Sequence, residues 1–333
     1  MRIAVVGCGA IGGLIAARLA LAGESVTVVD KPEVLVAVDS RGLRLHETDG
    51  VMRTARVRCA SSAQSIGEQE AILLAVKAND LPTVAPDLSE MFGEQTFVVT
   101  LQNGLPWWYF QGLEGSYRNY RLRSLDGDGV LEQCIPVSRL IGCVAYPAAS
   151  VVSPGEIRLI EGERFTFGEP AGGATPRAES IVSAFQAAGF KSYLTDDIRG
   201  EMWLKAWGAL SFNPVSALTG ATMREICDFP ETARLVRNMM AEAQQIAEKL
   251  GVSIRHTIDK RIEGARAVGA HKTSMLQDRE AGRPMEIAAL VGVFVELAEL
   301  VGVAAPCIQT VHACTRLLDH TLQRASGRTA ACV

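Results

Sequence analysis

Hydrophobic and polar positions follow two rhythms, short apolar runs over the first 196 residues and helical spacing over the rest. The stretch RIAVVGCGAIGGLIAARLALAG (2–23) shows the first rhythm in miniature. Residues 2–6 form a short β-prone run, the pattern of a strand buried on both faces. Residues 11–22 are rich in Ala, Leu and Ile and predict a helix, which Gly23 ends. SVTVVD (25–30), EAILLAVKA (70–78) and TFVVTLQNG (96–104) predict further strands, the last two ending at Lys77 and at Asn103–Gly104. IGCVAYPAA, GEIRLI and RFTFGEP predict antiparallel strands closing the same domain. A helix over about 176–188 and an edge segment at KSYLTDD follow, and from 197 onward the pattern is helical.

These elements predict an α/β chain, an N-terminal Rossmann-type doubly wound sheet domain followed by an all-helical C-terminal domain. The expected domains are 1–196 and 197–325, with a polar tail over 326–333 that frays from about 322. Gly7, Gly9, Gly12 and Gly13 interrupt the opening run too early for a secretory signal or a membrane span. EIAALVGVFVELAELVGV (286–303) is apolar enough to raise a span again. Glu286, Glu296 and Glu299 make a lipid-facing helix costly there, so a core helix is expected.

Composition narrows the function little. At 333 residues two domains are expected, and 48% hydrophobic with 21% charged residues is ordinary for a globular protein. A net charge of −4 without a Lys/Arg cluster argues against a nucleic-acid partner. The eight cysteines fall at irregular intervals with no C-x-x-C pair, the pattern of reduced thiols in a cytoplasmic protein and not of a disulfide frame or metal site.

The glycines carry the first chemistry. Gly7, Gly9 and Gly12 have the G-x-G-x-x-G spacing of a dinucleotide-binding turn, between a strand and a helix beginning near Ala10 and Ile11. Glycine there makes the tight turn, admits a pyrophosphate to the backbone and packs the helix on the strand, so phosphates rest on helix-start N–H groups. Asp30 lies about 20 residues on, where a carboxylate bonds a ribose 2′-hydroxyl and favours NADH. Lys31 is adjacent and suits the extra phosphate of NADPH, so both cofactors are carried forward. Lys77 and Asn103 fall at the carboxyl edge of the sheet, where ligands of this architecture bind; a loop lysine and an N-G turn are the plain alternatives. Trp107, Trp108, Tyr109 and Phe110 are expected to pack against the sheet, a pocket wall being the alternative.

The helical half holds two further candidates. In EMWLKAWGALSFNPVSALTG (201–220), Lys205, Ala209 and Asn213 line one stripe of a helix, with Pro214 just beyond. Lys205 among Trp203, Leu204 and Trp207 is a candidate desolvated proton donor, or else a snorkelling surface lysine. In HKTSMLQDREAGRPMEIAAL (271–290), Ser274 and Asp278 sit four apart on a helix end and Gly282 breaks that helix. Pro284 suits the first position of the next helix, which puts Glu286 in its first turn, a favourable place for a carboxylate even without catalysis.

Taken together, GCGAIGG, VKA, LQNG, KAWGALSFNPVSALTG and SMLQDREAGRPMEI resemble the ketopantoate reductase (2-dehydropantoate 2-reductase) family over nearly the whole chain. The resemblance implies a hydride passing from a nicotinamide to the keto carbon of a 2-oxo acid, a cytoplasmic enzyme of pantothenate biosynthesis, and no nucleic-acid or membrane partner. It admits a homodimer. It implies Lys205 as general acid and Glu286 as its acidic partner. It likewise implies Asn103 at the junction of cofactor and substrate, Lys77 near the cofactor, Asn213 as a substrate-binding amide, and Ser274 on the substrate carboxylate. One position departs: the family usually has an asparagine four residues after the lysine, and this chain has Ala209. Losing that amide removes a hydrogen bond of about 1 kcal/mol from the pocket. His271 and Lys272 are candidate replacements or an ordinary polar face. Two rivals follow, an NAD-dependent D-2-hydroxy-acid dehydrogenase for a bulkier or aromatic acid, and a non-catalytic nucleotide-sensing module.

Overall fold

The computed structural model describes residues 1–325. These divide into two compact units, Met1–Arg121 with Asp126–Glu201, and Leu122–Leu125 with the chain from Met202 onward. Twelve strands occur among the described residues: β1 (Arg2–Val6), β2 (Ser25–Val29), β3 (Leu43–His46), β4 (Met52–Ala55), β5 (Arg58–Ala60), β6 (Gln69–Leu74), β7 (Phe92–Thr100), β8 (Leu140–Ala145), β9 (Ala148–Ser153), β10 (Glu156–Glu161), β11 (Arg164–Gly168) and β12 (Lys191–Leu194).

The main sheet of the first unit runs β12-β11-β8-β7-β6-β1-β2-β5. From β5 to β8 every pair is parallel, because the connections cross over on the faces of the sheet. β11 then pairs antiparallel with β8 and parallel with β12. The central strands are covered on both sides and read as unbroken apolar runs: Ile3, Ala4 and Val5 are fully buried, as are Ala71, Ile72, Leu73 and Leu74. A second sheet, β4-β3-β10-β9, packs on the helix Ala10–Leu21. Gly13 permits that approach, since a Cβ there would lie 2.7 Å from Cγ1 of Ile157 on β10.

Several expectations change at this level. β8 belongs to the main sheet and lies parallel to β7, while β9 and β10 leave it for the second sheet. Sheet membership is set by partners distant in sequence, which a local pattern does not encode. β3, β4 and β5 were absent from the sequence pattern, because LRLH, MRTA and RCA are too short and too polar to stand out. The edge segment at 191–194 does lie at the sheet margin. Trp107, Trp108, Tyr109 and Phe110 are buried, and Trp108 Nε1 donates to Thr100 Oγ1 at 3.2 Å, so the cluster packs against the sheet.

The second unit is helical. The helix Ile198–Thr219 runs straight through Pro214, which the sequence pattern placed beyond its end. Proline removes one N–H donor from the ladder, and the near-complete burial of this helix holds it together despite that loss. The segment 283–286 is not helical, so Pro284 does not open a helix and Glu286 immediately precedes the helical run that starts at Ile287. That run contains a wide turn, Ala288–Gly292, before Val293–Val301. The helix Pro306–Ala325 stays regular past 322, and the expected tail over 326–333 lies outside the described residues. Among the described residues no helix is long and apolar enough to cross a membrane.

Candidate active site

In the first unit the chain leaves β1 for β2 on one side and returns to β6 on the other, which makes β1 the point where strand order reverses. Ligands of open α/β sheets bind beyond the carboxyl ends of the strands at such a point. Here the ends are level: Val6 pairs with Val29 and with Leu74, and Leu74 with Thr100. The next residues still share the ladder, Gly7 N–H donating to Val29 O at 2.9 Å and Ala75 N–H to Val6 O at 2.8 Å. The glycine turn, Asp30, Lys77 and Asn103 therefore fall beyond four neighbouring strands. β6 and β7 end three residues before Lys77 and Asn103, so both stand in loops and not at strand ends as the pattern suggested.

Each glycine of the turn has its own reason. Gly7 has φ +99°, and a Cβ there would meet Val76 N at 2.7 Å. A Cβ on Gly12 would overlap Gly7 O at 1.9 Å, so helix and turn touch backbone to backbone. Gly9 is exposed, with nothing within 4 Å of where a Cβ would stand, and as N-cap it supplies no side chain to the first turn at Ala10, Ile11 and Gly12. This is a cradle with open space over a helix N-terminus, which fits the pyrophosphate of a dinucleotide. Cys8 adds no negative charge: burial, then the neighbouring Asp30, push its thiol up to about 12.

Asp30 is tied into the same turn. One carboxylate oxygen accepts the N–H of Cys8 and the other accepts the N–H of Lys31 at 2.6 Å. Gln102, which sequence reasoning passed over, staples the loops together. Its amide donates to Leu74 O at 2.8 Å and Val76 O at 2.9 Å, fixing the loop before Lys77 against the loop before Asn103. Its place inside LQNG was the available signal.

The second unit carries Lys205, Asn213, Ser274 and Glu286. Between Met202 and Ala217 every residue of the long helix is buried except Leu204, Lys205, Ala209 and Asn213. Lys205, Ala209 and Asn213, four apart, are thus the line along which this helix is open. Trp203 and Trp207 do not enclose Lys205. They point about 160° away round the helix, where Trp203 meets Phe294 edge-on at 5.4 Å and Trp207 Nε1 donates to Met240 O at 2.8 Å.

The Trp203–Phe294 contact packs this helix on the one that Glu286 precedes. Glu286 is buried, and its carbonyl accepts the N–H of Leu290 at 3.2 Å, anchoring it at the start of that element. Ser274 is exposed at the first position of Ser274–Glu280, after the cap Thr273. Arg279 Nη1 donates to Ala217 O at 2.6 Å and ties that short helix to the end of the Lys205 helix. Asp278 is buried and pairs with Arg283 at 3.0 Å. A cavity of about 710 Å³ in this unit, lined by His312, Arg316 and His320 among others, includes none of Lys205, Asn213 or Ser274 and is a separate feature.

A family model described as ketopantoate reductase PanE/ApbA matches residues 3–172, and its C-terminal counterpart matches 197–319. A 2-dehydropantoate 2-reductase of Mesorhizobium japonicum is 47% identical over 319 residues, 96% of this chain and 98% of its own. A crystal structure from Ralstonia solanacearum MolK2, provisionally named a ketopantoate reductase, superposes with TM-score 0.92 at 41% identity, covering 96% of this chain and 98% of the other. D-mandelate dehydrogenase with NADH and anilino(oxo)acetate shares the fold, with TM-score 0.83 at 19% identity over 97% and 99% of the two chains.

Proposed function

The chain belongs to the ketopantoate reductase family, and from that premise we propose that it reduces the 2-oxo acid ketopantoate to pantoate. It is an NAD(P)-dependent oxidoreductase acting on the CH–OH/C=O couple. The observation that carries the proposal is the partly open line Lys205–Ala209–Asn213 on a helix whose other residues between Met202 and Ala217, Leu204 apart, are buried.

The first-turn N–H groups at Ala10, Ile11 and Gly12 would hold the pyrophosphate of a reduced nicotinamide cofactor, which when bound would supply a hydride. The Lys205 ammonium donates the proton to the carbonyl oxygen as charge builds there. Stabilisation that appears only in the transition state raises turnover and not simply binding. Glu286, a buried carboxylate, orients Lys205. Asn213 and Asn103 hydrogen-bond the substrate, and Ser274 meets its carboxylate. Lys77 stands near the cofactor. The Asp30 charge, fixed at the end of β2, disfavours a 2′-phosphate and supports NADH over NADPH, with Lys31 the opposing cation.

Ala209 favours a second reading, a D-2-hydroxy-acid dehydrogenase for a bulkier acid, since a methyl group leaves space where the family has an amide. A panel of 2-oxo acids assayed separately with NADH and NADPH tests both. Turnover of ketopantoate above the others supports the first. Preference for aromatic or branched acids, with little ketopantoate activity, supports the second. Cofactor that binds and is never oxidised would leave only a nucleotide-sensing module.

A further inference from the structure

Gly208 stands three residues after Lys205 and directly before Ala209, buried in the middle of the long helix. Its backbone is ordinary right-handed helix, so nothing conformational requires glycine, the poorest helix former after proline. What requires it is space. A Cβ at 208 would lie 2.2 Å from Nη2, 2.5 Å from Nε and 2.7 Å from Cζ of Arg261, on the helix Ile258–Val268. The guanidinium occupies the volume that a side chain at 208 would fill.

The direction of that volume matters. A helical Cβ tilts toward the N-terminus and covers the preceding turn, here the turn of Leu204 and Lys205. Positions 205 and 208 are about 60° apart round the helix, and 205 and 209 about 40°. The guanidinium thus lies against the helix at a position neighbouring Lys205, near the place where this chain has only a methyl group.

We propose that Arg261 binds the carboxylate of the 2-oxo acid substrate, with Gly208 the vacancy that admits its guanidinium to the Lys205 face. The inference rests on the reductase reading above and deepens it. A planar guanidinium fork matches a carboxylate with two parallel N–H···O bonds, so it fixes orientation as well as charge. With the carboxylate held by the guanidinium beside Gly208, the keto group one bond away falls toward Lys205. Arg261 is a binding residue here, and Lys205 remains the proton donor.

The test compares ketopantoate with its neutral methyl ester at saturating cofactor, in wild type, Arg261→Ala and Arg261→Lys. Expected for Arg261→Ala is a rise of about 10- to 100-fold in KM for the acid, with a smaller change in kcat and none in cofactor affinity. The ester KM stays put, so the acid-over-ester preference shrinks by the same factor, and added guanidinium restores part of it. Arg261→Lys keeps the charge without the fork and falls between. Gly208→Ala, which displaces the guanidinium while leaving it in the chain, reproduces the loss. An unchanged acid-over-ester preference in Arg261→Ala, or in Arg261→Lys should the alanine variant not fold, overturns the assignment while leaving the reductase reading intact. Equal losses for acid and ester also overturn it, since they indicate a structural role. Failure of the wild type to reduce any 2-oxo acid removes the reductase reading, and this inference with it.

Discussion

One oxygen of the Asp30 carboxylate accepts the backbone N–H of Cys8, so the acidic residue after β2 is part of the glycine turn itself. Its other oxygen takes the N–H of Lys31 at 2.6 Å, and the carboxylate is oriented before any ligand arrives. Positioning of the turn thereby falls to the same side chain that is proposed to disfavour a 2′-phosphate.

Asp30→Asn separates the two roles in part, because the amide oxygen keeps one N–H bond while the charge goes. The kcat/KM ratio of NADPH to NADH should rise about tenfold, equivalent to ~1.4 kcal/mol. Asp30→Ala, which frees the turn as well, should weaken both cofactors. Parallel kinetics with the two cofactors decide the point, and an unmoved ratio in Asp30→Asn would show that Asp30 does not read the ribose.

Lys205→Ala should lower kcat by about 100- to 10,000-fold, the usual contribution of a positioned acid. Cofactor Kd, measured by quenching of protein fluorescence, should stay within about twofold. Turnover that survives the substitution would locate the proton donor elsewhere.

Ala209→Asn restores the amide of the family pattern on the open line of the helix. Its expected effect is a gain of about five- to tenfold in kcat/KM for ketopantoate, the worth of one hydrogen bond. A loss instead would mean that the face has been rebuilt around another group, and the Arg261 guanidinium beside Gly208 is the evident one.

Glu169 provides a stability test away from the chemistry. Burial alone would raise its carboxyl, but hydrogen bonds from Arg177 and Thr175, together with the Arg177 charge, more than offset that and hold it below the usual carboxylate range. The unfolded chain then binds this proton at higher pH than the folded one. The stability it contributes is complete above the ordinary value of 4.5 and is lost as pH falls through the lowered one. Glu169→Gln should lower the unfolding free energy by about 2 kcal/mol at neutral pH. Its urea midpoint should fall less steeply than that of wild type below pH 4.5. Parallel acid limbs for the two proteins would contradict this.

Local pattern alone determined a good deal of this protein. The apolar run before Gly7, the glycine spacing and Asp30 specify strand, turn, helix and acid, because each depends on contacts within some thirty residues. The four-residue interval of Lys205, Ala209 and Asn213 likewise specifies one helix line, since helical geometry is local. Other features needed partners far along the chain. The second sheet joins residues 43–55 to residues 148–161: GEIRLI is legible as a strand by itself, but β3 and β4 are too short and polar to stand out without their partners. Pro214 and Pro284 depart from the local pattern in opposite ways: burial carries a helix through the first, and past the second the chain turns helical only at Ile287. Gly208 is the sharpest instance. In the sequence it is an unremarked glycine between Trp207 and Ala209, and only folding brings Arg261, 53 positions later in the chain, into the space it leaves.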